Sequence, residues 1–332
     1  MTEQRPIIVV MTPVRNEAWV LRAFLEATSL WADYIIIADQ MSTDGSREIA
    51  MSYPKVVLID NDMPDMHMAA TRKLLFEAAR KIEGDKLLFA LDADEFLSGD
   101  FVNTSDWHKM MNSVPDDSFC WRWMNLKRDD PNQYYCGLYS YWAVHESVDL
   151  WEGMYPDSFI HEWRIPWSPK ADDSHKILLN DIYSIHLAWV NQRRQRNKER
   201  FYQVSTLGQN PKANYVSLFR YYHNAIHSKS LEVPQDAYKF YEDNNMNIWD
   251  YVDLNDEGAY YSSEILRFFK RDGLKKYAML DIWDTEWMQR NGIKDPRTGI
   301  QKLIHKYLRA SSSMSNNFFV VWFDKLLKLF IR

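Results

Sequence analysis

The chain has 332 residues, 46% hydrophobic and 26% charged, a globular composition with room for two domains or one domain and an appendage. A formal net charge of -6 without a long basic run argues against a nucleic-acid partner, and no uninterrupted apolar stretch of about 18 residues reads as a membrane span. Cys120 and Cys136 are too few for a disulfide framework or a cysteine metal cluster; as reduced thiols behind the polar start MTEQRP, with no secretory signal, they point to the cytoplasm.

Residues 7–11 are a continuous β-branched apolar run, the pattern of a buried parallel strand, which Thr12-Pro13 should end. Asn16-Glu17 opens a helix in which Trp19, Val20, Ala23, Phe24, Ala27 and Leu30 recur at helical spacing. A second strand over 34–38 ends in Asp39 and a polar turn through Gly45, followed by a helix to about 51. A third strand is expected over 56–59, and a helix over 68–82 carrying Arg72, Lys73, Arg80 and Lys81. A fourth run, 87–91, stops at Asp92-Ala93-Asp94-Glu95.

Strands alternating with helices predict an α/β fold with right-handed crossovers and a mostly parallel sheet, whose ligands sit outside the carboxyl ends of the strands. Asp39, Asp92 and Asp94 all fall at such ends. If the strand stays extended to Asp94, Asp92 and Asp94 project from one face. Two carboxylates so placed suit a hard divalent cation that also holds phosphate oxygens. The alternative is that they are solvated turn residues or cap the next helix.

Pro13 and Arg15-Asn16-Glu17 after the first strand, Asp39 after the second, Ser42-Thr43-Asp44-Gly45, Arg72, and Leu91-Asp92-Ala93-Asp94 occur in an order that resembles the family 2 glycosyltransferases of the GT-A fold. The resemblance covers residues 6–100 and weakens towards 205. It implies a GT-A domain, a nucleotide-diphosphate sugar as donor, Mn2+ or Mg2+, and inverting transfer to a hydroxyl in cell-surface polysaccharide or glycolipid synthesis. By resemblance, Pro13, Arg15 and Glu17 lie beside the nucleotide, Asp39 contacts the base and Arg72 sits near base and phosphates. Asp92 lies near the ribose and metal, and Asp94 ligates the metal directly. The family commonly has two adjacent acids and a Gly where this chain has Asp39-Gln40-Met41, which leaves the base open. The roles make chemical sense: a divalent ion is a Lewis acid and template for a departing diphosphate, and Arg72 can add charge-assisted hydrogen bonds. Arg72 could equally be an exposed helix residue beside Lys73, and Asp44 before Gly45 reads first as a turn-former.

Beyond residue 100, 119–126 alternates as a half-buried strand and 134–145 is an aromatic strand region. An inverting transfer needs a carboxylate or His to take the acceptor proton. His145-Glu146 and His161-Glu162 are the candidate pairs, and the resemblance favours Glu162, which could otherwise form a rim ion pair with Arg164. His186 is the one polar side chain in 185–190 and reads by itself as a core histidine. The resemblance places a metal-binding His just before a basic helix such as 193–201, which makes His186 the third ligand, better suited to Mn than to Mg. That helix either faces phosphates or is solvated.

From about 207, helical patterns follow at 215–227, 237–241, 262–271 and 299–309. His223 and His227 share a helix face, but Asn224 stands where a metalloprotease helix carries Glu. After a polar linker, 311–317, one face of the last helix carries Phe319, Trp322, Phe323, Leu326 and Phe330, and the other Asp324, Lys325, Lys328 and Arg332. Such a helix lies in a membrane interface or packs on protein. The expected organisation is a GT-A domain over 1–205, a helical region over 206–310, and linker plus amphipathic helix over 311–332. The expected partners are a nucleotide-diphosphate sugar and a glycan or glycolipid acceptor, in the cytoplasm or at the inner face of its membrane. Two other functions fit less well. A nucleotidyltransferase needs a Gly-rich, Lys/Arg-bearing loop after the first strand, and residues 13–17 contain no Gly. A non-catalytic glycan-binding protein of the same fold has no need of intact acids.

Overall fold

Continuous apolar runs become the centre of one sheet. The computed structural model describes residues 5–127, 130–151, 164–166, 172–210, 212–224 and 229–331. Strands β1 (Ile7–Val14), β2 (Tyr34–Asp39), β3 (Val56–Asp60) and β4 (Lys86–Ala90) alternate with helices α1 (Ala18–Ser29), α2 (Ser46–Met51) and α3 (Met68–Ala79). The four strands pair in parallel in the order β3-β2-β1-β4. Both faces of β1, β2 and β4 are covered, which is why these strands are apolar almost throughout rather than alternating, whereas β3 lies at the edge with Val57 exposed. Val10, Ile35 and Phe89 share a core with Val20 and Phe24 of α1, while Val9, Met11, Ile36 and Leu88 pack with Leu75 and Phe76 of α3.

Strand β1 does not end at Thr12-Pro13 as expected. It pairs with β4 only as far as Met11–Ala90 but with β2 as far as Val14–Asp39. Beyond Met11 the strand has one ladder neighbour instead of two, and a proline without an N–H is tolerated there.

After β4 come β5 (Glu95–Leu97), α4 (Ser105–Met111), β6 (Ser118–Lys127), β7 (Asp130–His145) and β8 (Lys176–His186). They extend the sheet as β4-β7-β6-β8-β5. Neighbours run antiparallel except β6 and β8. The remaining elements are α5 (Gln192–Gln209), α6 (Tyr215–Asn224), β9 (Leu231–Glu232), α7 (Lys239–Asp243), α8 (Ala259–Asp272), α9 (Thr285–Arg290), α10 (Gly299–Ala310) and α11 (Phe318–Phe330). The fold is thus α/β, a helix-flanked central sheet with a helical C-terminal region.

The chain forms two units: Met1–Asn191 with Ser230–Asp256, and Gln192–Lys229 with Glu257–Arg332. The boundary therefore differs from the expected break at 205. Segment 230–256 returns to the sheet unit because it completes that unit's core. β9 pairs with β7 at Tyr134–Leu231, Phe240 packs on Phe101 with ring centroids 4.4 Å apart, and the Tyr241 hydroxyl donates to the Leu97 carbonyl at 2.9 Å.

The helical unit is organised by buried charge. Helix α5 was open to a solvated reading, yet Arg194, Gln195, Glu199, Arg200 and Gln203 are buried. The Asp281 carboxylate is buried and accepts from Arg309 Nε and meets His223 Nε2, each at 3.0 Å. Burial pushes this carboxyl up, but His223, Arg196 and Arg309 outweigh it and hold it well below its ordinary value. His223 donates its other nitrogen's proton to the Phe219 carbonyl at 2.8 Å, one helical turn back. His227 lies outside the described residues. Asp324 does not join the lysines on the outer side of α11 as expected. It points inward to a buried, two-pronged pair with Arg220, at 2.7 and 2.9 Å.

Candidate functional site

The acids after β4 do not continue an extended strand. The chain turns at once, with the Glu95 N–H donating to the Asp92 carbonyl at 3.1 Å, so Asp92 and Asp94 do not share a strand face. Glu95 explains the turn. Its Oε2 accepts from the Asp92 N–H at 2.8 Å, and its side chain is wholly buried as β5 begins.

The partner of Glu95 is Arg164. Two parallel bonds of 2.8 Å join the guanidinium to Oε1 and Oε2, and Trp123 Nε1 donates to Oε1, also at 2.8 Å. The guanidinium lies over the Trp142 ring at 4.3 Å and the Trp123 ring at 5.1 Å. Burial opposes the charge on Arg164, but Asp92 and Glu95 raise its pKa above the ordinary value. Burial likewise pushes the Glu95 carboxyl up, with Arg164 pulling it back. Four N–H donors converge on its two oxygens, which suits the ionised form. Arg164 also reaches Asp92 Oδ2 at 2.9 Å. Arg72, buried on α3 rather than exposed beside Lys73, meets Asp92 Oδ1 at 2.7 Å. Asp92 is therefore gripped by two arginines.

Asp94 meets a different partner. His186 Nε2 lies 3.6 Å from Asp94 Oδ2, and His186 Nδ1 is 2.7 Å from Asn125 Oδ1. Three strands make this meeting: Glu95 pairs with His186 across β5 and β8, and Asn125 with His186 across β6 and β8. The bond to Asn125 fixes the ring and turns Nε2 towards Asp94, the arrangement of a histidine oriented for a metal. Among the described residues, Asp94, Glu95 and His186 form a group whose ligand atoms all lie within 4.8 Å of one another. With Glu95 engaged by Arg164, Asp94 and His186 are the pair that fits a cation. Asp92, expected as a further ligand, falls outside this group because both its oxygens face guanidinium groups.

The loops after β1 and β2 are locked together. Asn16 N–H donates to Ser42 Oγ at 2.9 Å, and Thr43 N–H to Asn16 Oδ1 at 2.7 Å. Asp44 accepts from the Ala18 N–H at 2.9 Å and the Ser46 N–H at 3.0 Å, at the starts of α1 and α2. It is the turn-former its position suggested, helped by Gly45, whose φ of +95° a side chain rarely adopts. Pro13 ends β1. Arg15 reaches the Pro64 carbonyl at 3.5 Å, and Glu17 accepts from Trp19 Nε1 at 2.6 Å. Asp39 is buried at the end of β2, with Oδ2 3.4 Å from Arg47 and from the Ser42 N–H. Its Oδ1 is buried without a hydrogen-bond partner among the described residues.

Glu162 lies outside the described residues. Glu146 stands at the opposite end of the sheet, where its neighbour His145 pairs with Leu87 near the start of β4, and its carboxylate faces Arg80 and Lys86 at 3.5 and 3.6 Å. A cavity of about 620 Å³ lined by Arg5, Ile7, Asp33, Tyr34 and Lys55 also lies at the amino ends of the strands.

No family model and no curated protein matches the chain. Among solved structures it is similar to a 4-diphosphocytidyl-2C-methyl-D-erythritol synthase, with 10% identity and a TM-score of 0.30 over 46% of this chain and 80% of that one. It is also similar to a mannose-1-phosphate geranyltransferase from Thermus thermophilus, with 12% identity and a TM-score of 0.26 over 58% of this chain and 62% of that one. Likenesses this slight carry no argument about function, which rests on the side chains.

Proposed function

We propose that this chain is a metal-dependent glycosyltransferase of the GT-A kind, moving a sugar from a nucleotide-diphosphate donor to an acceptor hydroxyl with inversion. The observation that carries the proposal is the pairing of Asp94 with an Asn125-oriented His186 at the carboxyl edge of the sheet, beside Asp92 and its two buried arginines. Asp94 and His186 would hold Mn2+ in preference to Mg2+, because imidazole is a borderline ligand. When bound, such an ion supplies Lewis-acid stabilisation of the leaving diphosphate.

The chain's own residues take the other roles. Arg72 and Arg164 keep cationic charge where phosphates would arrive. Asp92 presents acceptor oxygens for a ribose hydroxyl, and the unmet Asp39 Oδ1 suits an N–H of the base. Pro13, Arg15 and Glu17 shape the nucleotide side of the loop. For the acceptor proton we assign Glu162, two residues before Arg164 in sequence, as the general base. The acceptor is a glycan or glycolipid at the cytoplasmic face of a membrane.

Calorimetry with UDP-, GDP- and TDP-sugars, with and without Mn2+, tests the proposal. Wild type should bind one donor more tightly with Mn2+, and Asp94→Ala should remove that dependence. Metal-dependent binding that survives Asp94→Ala overturns the site. Consumption of a nucleoside triphosphate and a sugar phosphate with release of pyrophosphate would mark a nucleotidyltransferase instead.

A further inference from the structure

Helix α11 exposes the wrong side of itself for a water-facing helix. Its buried positions are Val320 and Asp324, while Phe318, Phe319 and Phe330 are 76%, 75% and 83% exposed. Trp322, Phe323 and Leu329 are exposed as well. At 100° per residue these six side chains occupy one continuous arc of about 140° without a charge in it, and Lys325 and Lys328 flank it on one side. The helix has 13 residues, and no helix among the described residues is long and apolar enough to cross a membrane.

The local charge is opposite to that of the whole chain. Residues 299–332 contain Lys302, Lys306, Arg309, Lys325, Lys328 and Arg332 against the single acid Asp324, a net of +5 in a chain of net -6. Asp324 is withdrawn from the surface by Arg220, whose guanidinium also donates to the Leu308 carbonyl and to Ser311. The ion pair thus anchors α11 by its polar side and leaves aromatic and cationic groups outward. A second copy of the chain, itself of net charge -6, would have to cover this arc with apolar groups of its own. An anionic bilayer supplies both a hydrocarbon boundary for the aromatic arc and headgroups for the lysines.

We propose that α11 docks the protein on an anionic lipid surface, lying in the headgroup region with the Phe318–Phe330 arc inserted and Lys325 and Lys328 against phosphates. This does not depend on the catalytic assignment, and its test does not read activity. Purified full-length protein is sedimented with vesicles of phosphatidylcholine alone and of phosphatidylcholine mixed with phosphatidylglycerol. Binding to the mixed vesicles, weakening with salt, is expected. Phe318→Glu with Trp322→Glu should abolish it, and Lys325→Glu with Lys328→Glu should weaken it more than about tenfold. These side chains are exposed, so circular dichroism should be unchanged, whereas deleting the helix would strip the buried Arg220 of its carboxylate. Tryptophan fluorescence should shift to shorter wavelength on vesicle addition in wild type. No binding to either vesicle, or binding that both variants retain, overturns the proposal. A concentration-dependent dimer that Phe318→Glu with Trp322→Glu dissolves, without vesicle binding, overturns it in favour of a second copy.

Discussion

Replacing Glu95 by Gln asks whether charge holds the buried cluster together. Each carboxylate oxygen accepts two donors: Trp123 Nε1 and Arg164 on Oε1, the Asp92 N–H and Arg164 on Oε2. An amide of the same shape has one accepting oxygen and one NH2, so in either orientation two donors face a donor. Each unmet buried donor costs about 1–3 kcal/mol, and breaking a buried ion pair from one side costs about 3–5 kcal/mol. Asp92 still answers part of the Arg164 guanidinium, which places the loss near the lower end, about 3 kcal/mol. For a folding unit of this size the unfolding midpoint should fall by roughly 6–12 °C. Trp121, Trp123 and Trp142 lie together beside the pair, so tryptophan fluorescence during thermal unfolding reports the event. A Glu95→Gln midpoint within about 2 °C of wild type would refute this account of the cluster.

Three further outcomes follow. Asn125→Ala should weaken Mn2+ binding by about 10–100-fold by releasing the His186 ring, and His186→Ala should weaken it further; calorimetric titration with Mn2+ checks both, and wild-type affinity in either removes His186 from the metal site. Asp44→Ala loses two helix-start bonds and should destabilise by about 1–3 kcal/mol in urea unfolding while leaving donor affinity unchanged; a large loss of affinity at unchanged stability would make Asp44 a ligand contact. Because Asp281 is held below its ordinary value in the folded chain, the unfolded chain takes up the proton first, so its contribution to stability is present above about pH 4 and is lost as pH falls below that. Asp281→Asn should flatten this acid loss when helical circular dichroism is followed from about pH 6 to pH 2, and an unchanged acid limb would show that other groups govern it.

Strands β1, β2 and β4 were legible because both faces of each are buried, and mostly apolar residues satisfy that condition. Strand β3, at the sheet edge and half-exposed, was legible from its β-branched run alone. The helical spacing of Trp19, Val20, Ala23 and Phe24 was legible because those side chains are buried too. The turn after β4 was not. Leu91 and Ala93 are buried although the strand has ended, so the apolar run overstates its length. Glu95 was hidden beside two neighbouring acids, Asp92 and Asp94, and looked solvated. Its burial depends on Arg164 and Trp123, 69 and 28 residues away, and no local pattern carries such a pairing. Asp324 was misplaced for a similar reason, since Arg220 lies 104 residues before it. The pairing of Asp94 with His186 had a local signal only in part: a histidine inside an apolar run marks a position, whereas Asn125, which orients the ring, looks like any strand asparagine.

The sheet unit is not a prefix of the chain. Its last segment, Ser230–Asp256, leaves the ribosome only after the first helices of the second unit, Gln192–Lys229, have emerged. Until then Phe101 lacks Phe240, Leu97 lacks the Tyr241 hydroxyl, and the outer edge of β7 has no β9 beside it. Synthesis therefore passes through a stage in which a nearly finished sheet exposes aromatic rings and an open edge, the state in which nascent chains are most exposed to misassociation. A gene cut at residue 191 or 205 would make that stage permanent, and a fragment meant to isolate the sheet unit has to retain the strand and helix of residues 230–256.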